Sequence, residues 1–432
     1  MERVRSSEVA ARVGQRVRVV GWLQSLRRLG AISFLIVRDG AGIVQAIADH
    51  ERLALLTGAE AESVVAVTGE VCIERQAPGG VELRDIAIEV IVEATEPPPV
   101  LLGKKLANVG LPALLDHAVV ANRFPTRRAV FRIGAAAMRG FRALLDAEQF
   151  VEIQSPKLVE AATEGGANVF AVDYFGRPAY LAQSPQLYKQ IMVGVFERVY
   201  EVGPVFRAEP HDTARHINQY TSLDVEIGFI SDHLDVMAQL TRVLRGMLAE
   251  VARACAAELA LLGAALPEVP DVIPYLHFTE ALELLAAPLG EAVRGEPDLS
   301  PAAERWLGQW AREHHGSDWL FVTGYPMRKR PFYTHPDPER PEHSRSFDLL
   351  FRGTELVTGG QRLHRHASYL AALEARGMTG ESIAAYLEAF RHGMPPHGGF
   401  AIGLERFLMQ LLDLPNIRLA TLFPRDLARL SP

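Results

Sequence analysis

Over the first hundred residues, hydrophobic and polar positions alternate in short runs. Val17–Leu23, Ile32–Asp39, Ile43–Ile47, Ser63–Ile73 and Val81–Val92 are β-rich runs of strand length. Asp39-Gly40-Ala41-Gly42 punctuates the second and third runs, and Ala77-Pro78-Gly79-Gly80 the last two. Five strands in this length predict a small closed barrel of the OB type, a shape that often holds single-stranded nucleic acid. Glu96-Pro97-Pro98-Pro99 is a stiff boundary. The expected division is a barrel domain over 1–100, a linker or hinge over 101–128 and a larger domain over 129–432.

Beyond the linker the period changes. Phe131, Ala135, Met138, Phe141, Leu144 and Leu145 recur at helical spacing, so Ala129–Ala147 is expected as an amphipathic helix, followed by a strand at Phe150–Ile153. Further strands are expected at 179–182, 198–206, 222–230, 319–322, 346–351, 354–357 and 400–403. Helices are expected at 185–195, 234–258, 301–314, 367–375, 383–392 and 404–412. Strands follow one another too often for simple strand–helix alternation. The prediction is an α+β domain, a mainly antiparallel sheet flanked by helices. No Gly-x-Gly-x-x-Gly or Gly-x4-Gly-Lys-Ser/Thr stands after a strand, which disfavours Rossmann and P-loop nucleotide sites.

Composition narrows the class. The 432 residues are 48% hydrophobic and 22% charged, ordinary for a folded soluble chain. Apolar runs are broken by charge well short of a membrane span, and Met1-Glu2-Arg3-Val4-Arg5 lacks the apolar stretch of a signal peptide. A cytoplasmic protein with no membrane partner is expected. Cys72 and Cys255 lack metal-ligand or Cys-x-x-Cys spacing and read as thiols, and His364 and His366 lack a second ligand pair for zinc. The net charge of −7 argues against a general polyanion binder, yet residues 1–30 carry seven arginines against two glutamates. Such a local basic face suits nucleic acid.

Candidate chemistry lies in three segments. Tyr200–Glu209 ends in Phe206-Arg207-Ala208-Glu209 and is followed by a loop with Arg215-His216 and a return strand, Thr221–Glu226. Arginine suits phosphate because its planar fork makes two hydrogen bonds and stays charged. Gly398–Arg406 is a glycine-rich strand that runs straight into a helix. Between them, Phe347–Arg362 carries Glu355 and Thr358, a carboxylate and a hydroxyl of the hard-oxygen kind that Mg²⁺ prefers. On a regular strand these two would face opposite sides, so a bend near Gly359-Gly360 is expected.

With the helix, strand and proline ending at Pro156, these segments resemble the ordered signature motifs of class II aminoacyl-tRNA synthetases. The resemblance implies homodimerisation through the first motif. It places ATP against Arg207, Ala208, Glu209, Arg215, His216, Ile217, Glu355, Gly403, Leu404, Glu405 and Arg406, with Arg207, Glu355 and Arg406 catalytic and Mg²⁺ on Glu355 and Thr358. Gln183–Gln190 resembles the aspartyl type. There Lys189 and Arg362 receive the side-chain carboxylate of L-aspartate, Asp224 takes its ammonium, and Ser184 and Gln186 orient it. Arg207 and Thr358 also border the amino acid, and Glu164 lies in a loop that closes over it. An asparaginyl relative would lack a cation at position 189.

The barrel resembles the family's anticodon-binding domain. Phe34 would stack on a base, Gln45 would hydrogen-bond it, Arg27 would contact phosphate or base, and Pro78 lies where tRNA choice is tuned. Arg28 stands where many relatives have aspartate. The short interval from Glu226 to Gly398 resembles the archaeal-type branch, whose members often aspartylate both tRNA-Asp and tRNA-Asn. The favoured reading is this non-discriminating one, with a strictly tRNA-Asp-specific enzyme as the alternative. Outside the enzyme class, a synthetase-like binding protein would be expected to have broken motifs, and a single-strand binder would leave some 300 residues unused.

Overall fold

The computed structural model describes residues 1–29, 32–56, 58–100, 109–160 and 168–431. The chain forms two compact units, Met1–Phe124 and Pro125–Pro432.

In the first unit, β1 (Arg16–Leu29), β2 (Ile32–Arg38), β3 (Ile43–Ala48), β4 (Val64–Ile73) and β5 (Val81–Val92) close into a barrel in the order β1-β2-β3-β5-β4. The expected five-stranded barrel is present. Alternation sends Val17, Val19, Leu23, Leu35, Val37, Val44 and Ala46 into its core. β1 runs past Leu23 to Leu29 because it serves two neighbours. Its first half pairs with β4 and its second with β2, and an irregularity between Leu23 and Ser25 lets it bend between them. Gly79 and Gly80 before β5 have φ of 75° and 74°, a left-handed pair that a Cβ would strain. Helix α1 (His50–Ala54) is capped by the Asp49 carboxylate, which accepts from the Arg52 N–H at 2.9 Å. The short helices α2 (Leu111–Asp116) and α3 (Ala118–Ala121), from the stretch expected as linker, also belong to this unit.

The second unit opens with α4 (Pro125–Ala147), β6 (Val151–Glu152), β7 (Leu158–Val159), β8 (Ala171–Tyr174), β9 (Arg177–Leu181) and α5 (Gln186–Phe196). The hairpin β10 (Arg198–Phe206) and β11 (Gln219–Gly228) leads into α6 (His233–Ala254) and α7 (Ala256–Leu262). Next come β12 (Tyr275–His277), α8 (Phe278–Leu289), α9 (Pro301–His315), β13 (Trp319–Thr323), β14 (Ser346–Phe351) and β15 (Thr354–Gln361). α10 (His366–Glu374), α11 (Ala384–Arg391), β16 (His397–Gly403) and α12 (Leu404–Leu411) complete it.

Eight strands form one sheet in the order β12-β13-β14-β15-β16-β11-β10-β6, and β7-β9-β8 form a small second sheet. The large sheet is antiparallel except for its outermost pairs, β12–β13 and β6–β10, which are parallel. α4, α6 and α12 bury their apolar stripes on one face, where Phe141, Leu244, Met247, Phe347, Phe400 and Phe407 share a core. The expected helix over 234–258 is broken at Cys255, whose φ and ψ of −130° and 28° leave the helical range. β8, β12 and α8 were not expected.

β16 lies between β11 and β15 at glycine-only separation. A Cβ at Gly399 would collide with the Val225 carbonyl oxygen and the Glu226 carboxylate. Backbone cannot yield as a flexible side chain can. Gly399→Ala is therefore expected to destabilise the protein by about 3 kcal/mol or more, the upper end for overpacking. Urea denaturation of the variant beside the parent measures this, and a loss below about 1 kcal/mol would contradict the packing described.

Candidate active site

The β10–β11 hairpin places the first group of candidates. Arg207 follows directly on β10, and its N–H donates to the Asn218 carbonyl at 2.9 Å. The Asn218 amide returns donors to the carbonyls of Arg207 at 2.8 Å and Glu209 at 3.2 Å. This clamp fixes the base of the loop, while the Arg207 guanidinium lies over the Tyr220 ring at 5.7 Å. Within the loop, Thr213 Oγ1 stands 2.6 Å from His216 Nδ1 and accepts from the Arg215 N–H at 3.2 Å. Burial, then the neighbouring His211, Arg406 and Arg215, lower the His216 pKa against the opposing pull of Glu209. His216 is thus neutral at pH 7, and the standing positive charge is that of the arginines.

Ser222, Asp224 and Glu226 lie at alternate positions of β11 and so share a face. Ser222 Oγ donates to Asp224 Oδ2 at 2.5 Å. Lys189, on the first turn of α5, reaches across to that face. Its buried ammonium donates to Asp224 Oδ1 at 3.0 Å and the Phe400 carbonyl at 3.2 Å, and lies 3.3 Å from Glu226 Oε2. Arg362, just past β15, donates from Nε to Glu226 Oε1 at 3.0 Å and from Nη2 to the Gly399 carbonyl at 2.9 Å. Burial alone would raise the Glu226 pKa, but Arg362, Lys189 and His397 outweigh it and hold it below the ordinary carboxylate range. His397, wholly buried beside this cluster, is pushed down to about 4 by burial and is neutral. Above the cluster, Ser184 Oγ accepts from the Gln186 N–H at 3.2 Å, and the Gln186 Nε2 is buried without a partner among the described residues.

β14 and β15 supply the carboxylates. Their ladder pairs Leu349 with Val357 but Leu350 with Glu355, so Leu356 is an extra residue on β15. This bulge brings Glu355 and Thr358 to one face, and the Thr358 hydroxyl donates to Glu355 Oε1 at 3.0 Å. The bend expected at Gly359-Gly360 thus sits earlier, at Leu356. Burial and then Asp348, opposite Thr358 in the ladder, raise the Glu355 pKa, while Arg406, Thr358 and Arg330 oppose the rise. A divalent cation would offset that crowding of negative charge, and the carboxylate and hydroxyl are hard oxygen donors. The pair fits Mg²⁺. Asp348 is itself paired with Arg330 at 3.0 Å, and the Arg330 guanidinium stacks 4.0 Å over Tyr325.

These groups open onto one cleft of about 310 Å³. Ser184, Gln186, Lys189, Arg207, Glu209, Arg215, His216, Ile217, Asp224, Glu355, Thr358, Arg362, Gly403, Glu405 and Arg406 all line it. Ala208 and Leu404 do not. The Ala208 N–H is held by the Asn168 carbonyl, and Leu404 is buried in the core beneath the sheet. Glu405 borders the cleft, and its carboxylate accepts from the Thr221 N–H at 3.1 and 3.0 Å and so holds β11. Glu164 lies outside the described residues. Glu226, Arg330, Asp348 and Tyr333 were missed as site residues. Glu226 alone had a signal, its two-residue step from Asp224 along one strand face.

On the barrel, Arg27 and Phe34 are direct cross-strand partners, and Phe34 also pairs with Ile47. Phe34 is half-buried and outside the barrel core, whose inward residues are its neighbours Leu35 and Val37. Gln45 donates to Glu82 Oε2 at 2.9 Å, and Pro78 opens the turn that packs by β3.

Comparison with known proteins places this geometry. Residues 112–427 match the family model of tRNA synthetases class II (D, K and N), and residues 17–97 that of the OB-fold nucleic acid binding domain. The chain is 50% identical over 430 residues to an aspartate–tRNA(Asp/Asn) ligase of Thermus thermophilus, covering 100% of each. It is 46% identical over 437 residues to the protein of that name from Deinococcus radiodurans, covering 100% of this chain and 99% of the relative. Among solved structures, asparaginyl-tRNA synthetase from Pyrococcus horikoshii with asparaginyl-adenylate superposes at a TM-score of 0.92, with 31% identity and full coverage of both chains.

Glu405 yields a pH prediction. Burial raises its pKa to about 7, well above the ordinary 4.5. A carboxyl raised on folding contributes stability that is fully present below pH 4.5 and is lost as pH rises through 7. The shift corresponds to about 3 kcal/mol. Glu405→Gln keeps an acceptor for Thr221 without the charge. Parent stability is expected to fall by about that much relative to the variant between pH 4.5 and 8, read by urea denaturation of both proteins. Parallel profiles would refute the assignment.

Proposed function

The chain belongs to the class II tRNA synthetases of the D, K and N group, and from that membership we propose that it is an aspartate–tRNA ligase charging both tRNA-Asp and tRNA-Asn. The observation that carries the amino acid is the buried cluster of Lys189 and Arg362 beside Asp224. An ammonium fits Asp224 and a side-chain carboxylate fits the two cations. A neutral amide would leave a cation poorly matched. The relaxed tRNA choice rests on the relatives, whose names carry both acceptors.

In this reading the α-carboxylate of aspartate, ionised at neutral pH, attacks the α-phosphorus of ATP in line. A carboxylate oxygen–phosphorus bond forms, the bond to the β-phosphate oxygen breaks, and pyrophosphate leaves toward Arg215, His216 and Arg406. No protein base is needed. Arg207 meets the α-phosphate and stabilises the charge that develops there. Arg406, at the start of α12, is held by the Glu355 carbonyl at 3.2 Å. Glu355 and Thr358 would hold Mg²⁺, which when bound neutralises phosphate charge. A hydroxyl at the tRNA 3′ end then attacks the carbonyl carbon of the aspartyl-adenylate and releases AMP. Arg27, Phe34, Gln45 and the Pro78 turn form the anticodon surface, with Phe34 offering its outward ring for stacking.

The enzyme works in the cytoplasm as a homodimer. No helix among the described residues is long and apolar enough to cross a membrane. Exposed Val151, in the edge strand β6, supports a second copy at that edge.

Two measurements test the reading. Arg207→Ala is expected to abolish ATP–pyrophosphate exchange with aspartate, by about a hundredfold or more, while its melting profile matches the parent. Separately, purified tRNA-Asp and tRNA-Asn should each accept labelled aspartate. Failure with tRNA-Asn would remove the relaxed reading, and failure with both would remove the function.

A further inference from the structure

A lysine ammonium has three N–H donors. Two of those on Lys189 go to the Asp224 carboxylate and the Phe400 carbonyl, the ammonium lies in ion-pair range of Glu226 Oε2 at 3.3 Å, and the side chain is 1% exposed. With its charge set between two buried carboxylates, Lys189 offers little to a substrate carboxylate while Asp224 holds it. Arg362 differs. Two of its five N–H groups meet Glu226 and the Gly399 carbonyl, and the guanidinium borders the cleft. The cluster contains two cations and two anions and is neutral as it stands.

We propose that aspartate enters by exchanging ion pairs: its ammonium replaces Lys189 on Asp224, and the released Lys189 turns to the substrate's side-chain carboxylate beside Arg362. This rests on the aspartate reading above. Glu226, bonded to Arg362 and in ion-pair range of Lys189, is the positioning residue that holds Arg362 fixed and stays close to Lys189 as it turns. The ammonium and the side-chain carboxylate add one charge of each sign, so the cluster stays neutral. Asparagine would displace Lys189 but give it no carboxylate. Succinate, which is aspartate without its amino group, would offer the carboxylate but leave Lys189 held by Asp224. Both substrate charges are required together, because each makes room for the other.

Binding of L-aspartate, L-asparagine and succinate to the full-length protein and to Asp224→Asn, followed by calorimetry, tests this. Asparagine at 224 keeps the acceptor for Ser222 and removes the charge that holds Lys189. The parent is expected to bind aspartate at least about tenfold more tightly than succinate. In Asp224→Asn, aspartate should weaken and succinate tighten, each by about tenfold or more, so that their order inverts. Succinate binding that does not tighten in a variant with the parent's melting temperature overturns the exchange. A parent that binds no aspartate overturns instead the aspartate reading. Should the variant unfold, the parent alone suffices. Methylammonium, a small cation able to occupy Asp224, should raise succinate affinity several-fold, and tetramethylammonium at equal ionic strength should not. Equal effects of the two salts would sink the proposal.

Discussion

A carboxylate as deeply buried as Glu226 is tolerated only where cations meet it, and here they come from far along the chain. Arg362 lies 136 residues away, and Lys189 sits on helix α5. Each cation also binds a backbone carbonyl of β16, Phe400 for Lys189 and Gly399 for Arg362. One cluster thereby pins α5, β11, the end of β15 and β16 to common positions. Removing a single member would strand charge in the interior, a cost of several kcal/mol. Lys189, Asp224 and Arg362, which secure the middle of the sheet, also line the candidate cleft, so stability and the shape of the site draw on one set of contacts.

Much of the fold was legible because the periodicities are plain. The strand over Arg198–Phe206 is as predicted, and the barrel core follows the alternation of β1 to β3. The antiparallel platform was readable from the crowding of strands. What failed were features set by tertiary pairing. β8 and β12 are too short to show a period, and the break at Cys255 follows no glycine or proline. In the site, residues within contiguous motifs were readable as a group. Arg330 and Asp348 were not, since a loop and a strand meet there with no shared spacing. Of the expected nucleotide residues at the end of β16, Leu404 faces the core, while Glu405 lines the cleft with its carboxylate bracing β11.

Nucleotide binding without a phosphate-cradling loop places different demands on a scaffold. A glycine-rich loop presents backbone N–H groups at a helix start. In this cleft the positive charge is carried by arginine side chains on a hairpin loop and at the head of α12, over a floor of strands. Long side chains need bracing. Tyr220 lies under Arg207, the Glu355 carbonyl holds Arg406, and Asn218 clamps the loop base. The bracing residues are as much a part of the cleft as the charges.

The extra residue at Leu356 gives β15 a fixed reading frame. Before it and after it, side chains alternate in the ordinary way, but the two halves are out of phase by one. Inserting one more residue between Glu355 and Thr358, with the bulge kept, would turn one of the pair into the core. Deleting Leu356 would instead close the bulge and leave Glu355 and Thr358 two residues apart on one face. The strand can shed its spare residue and keep the pair together, whereas a second spare residue would part them.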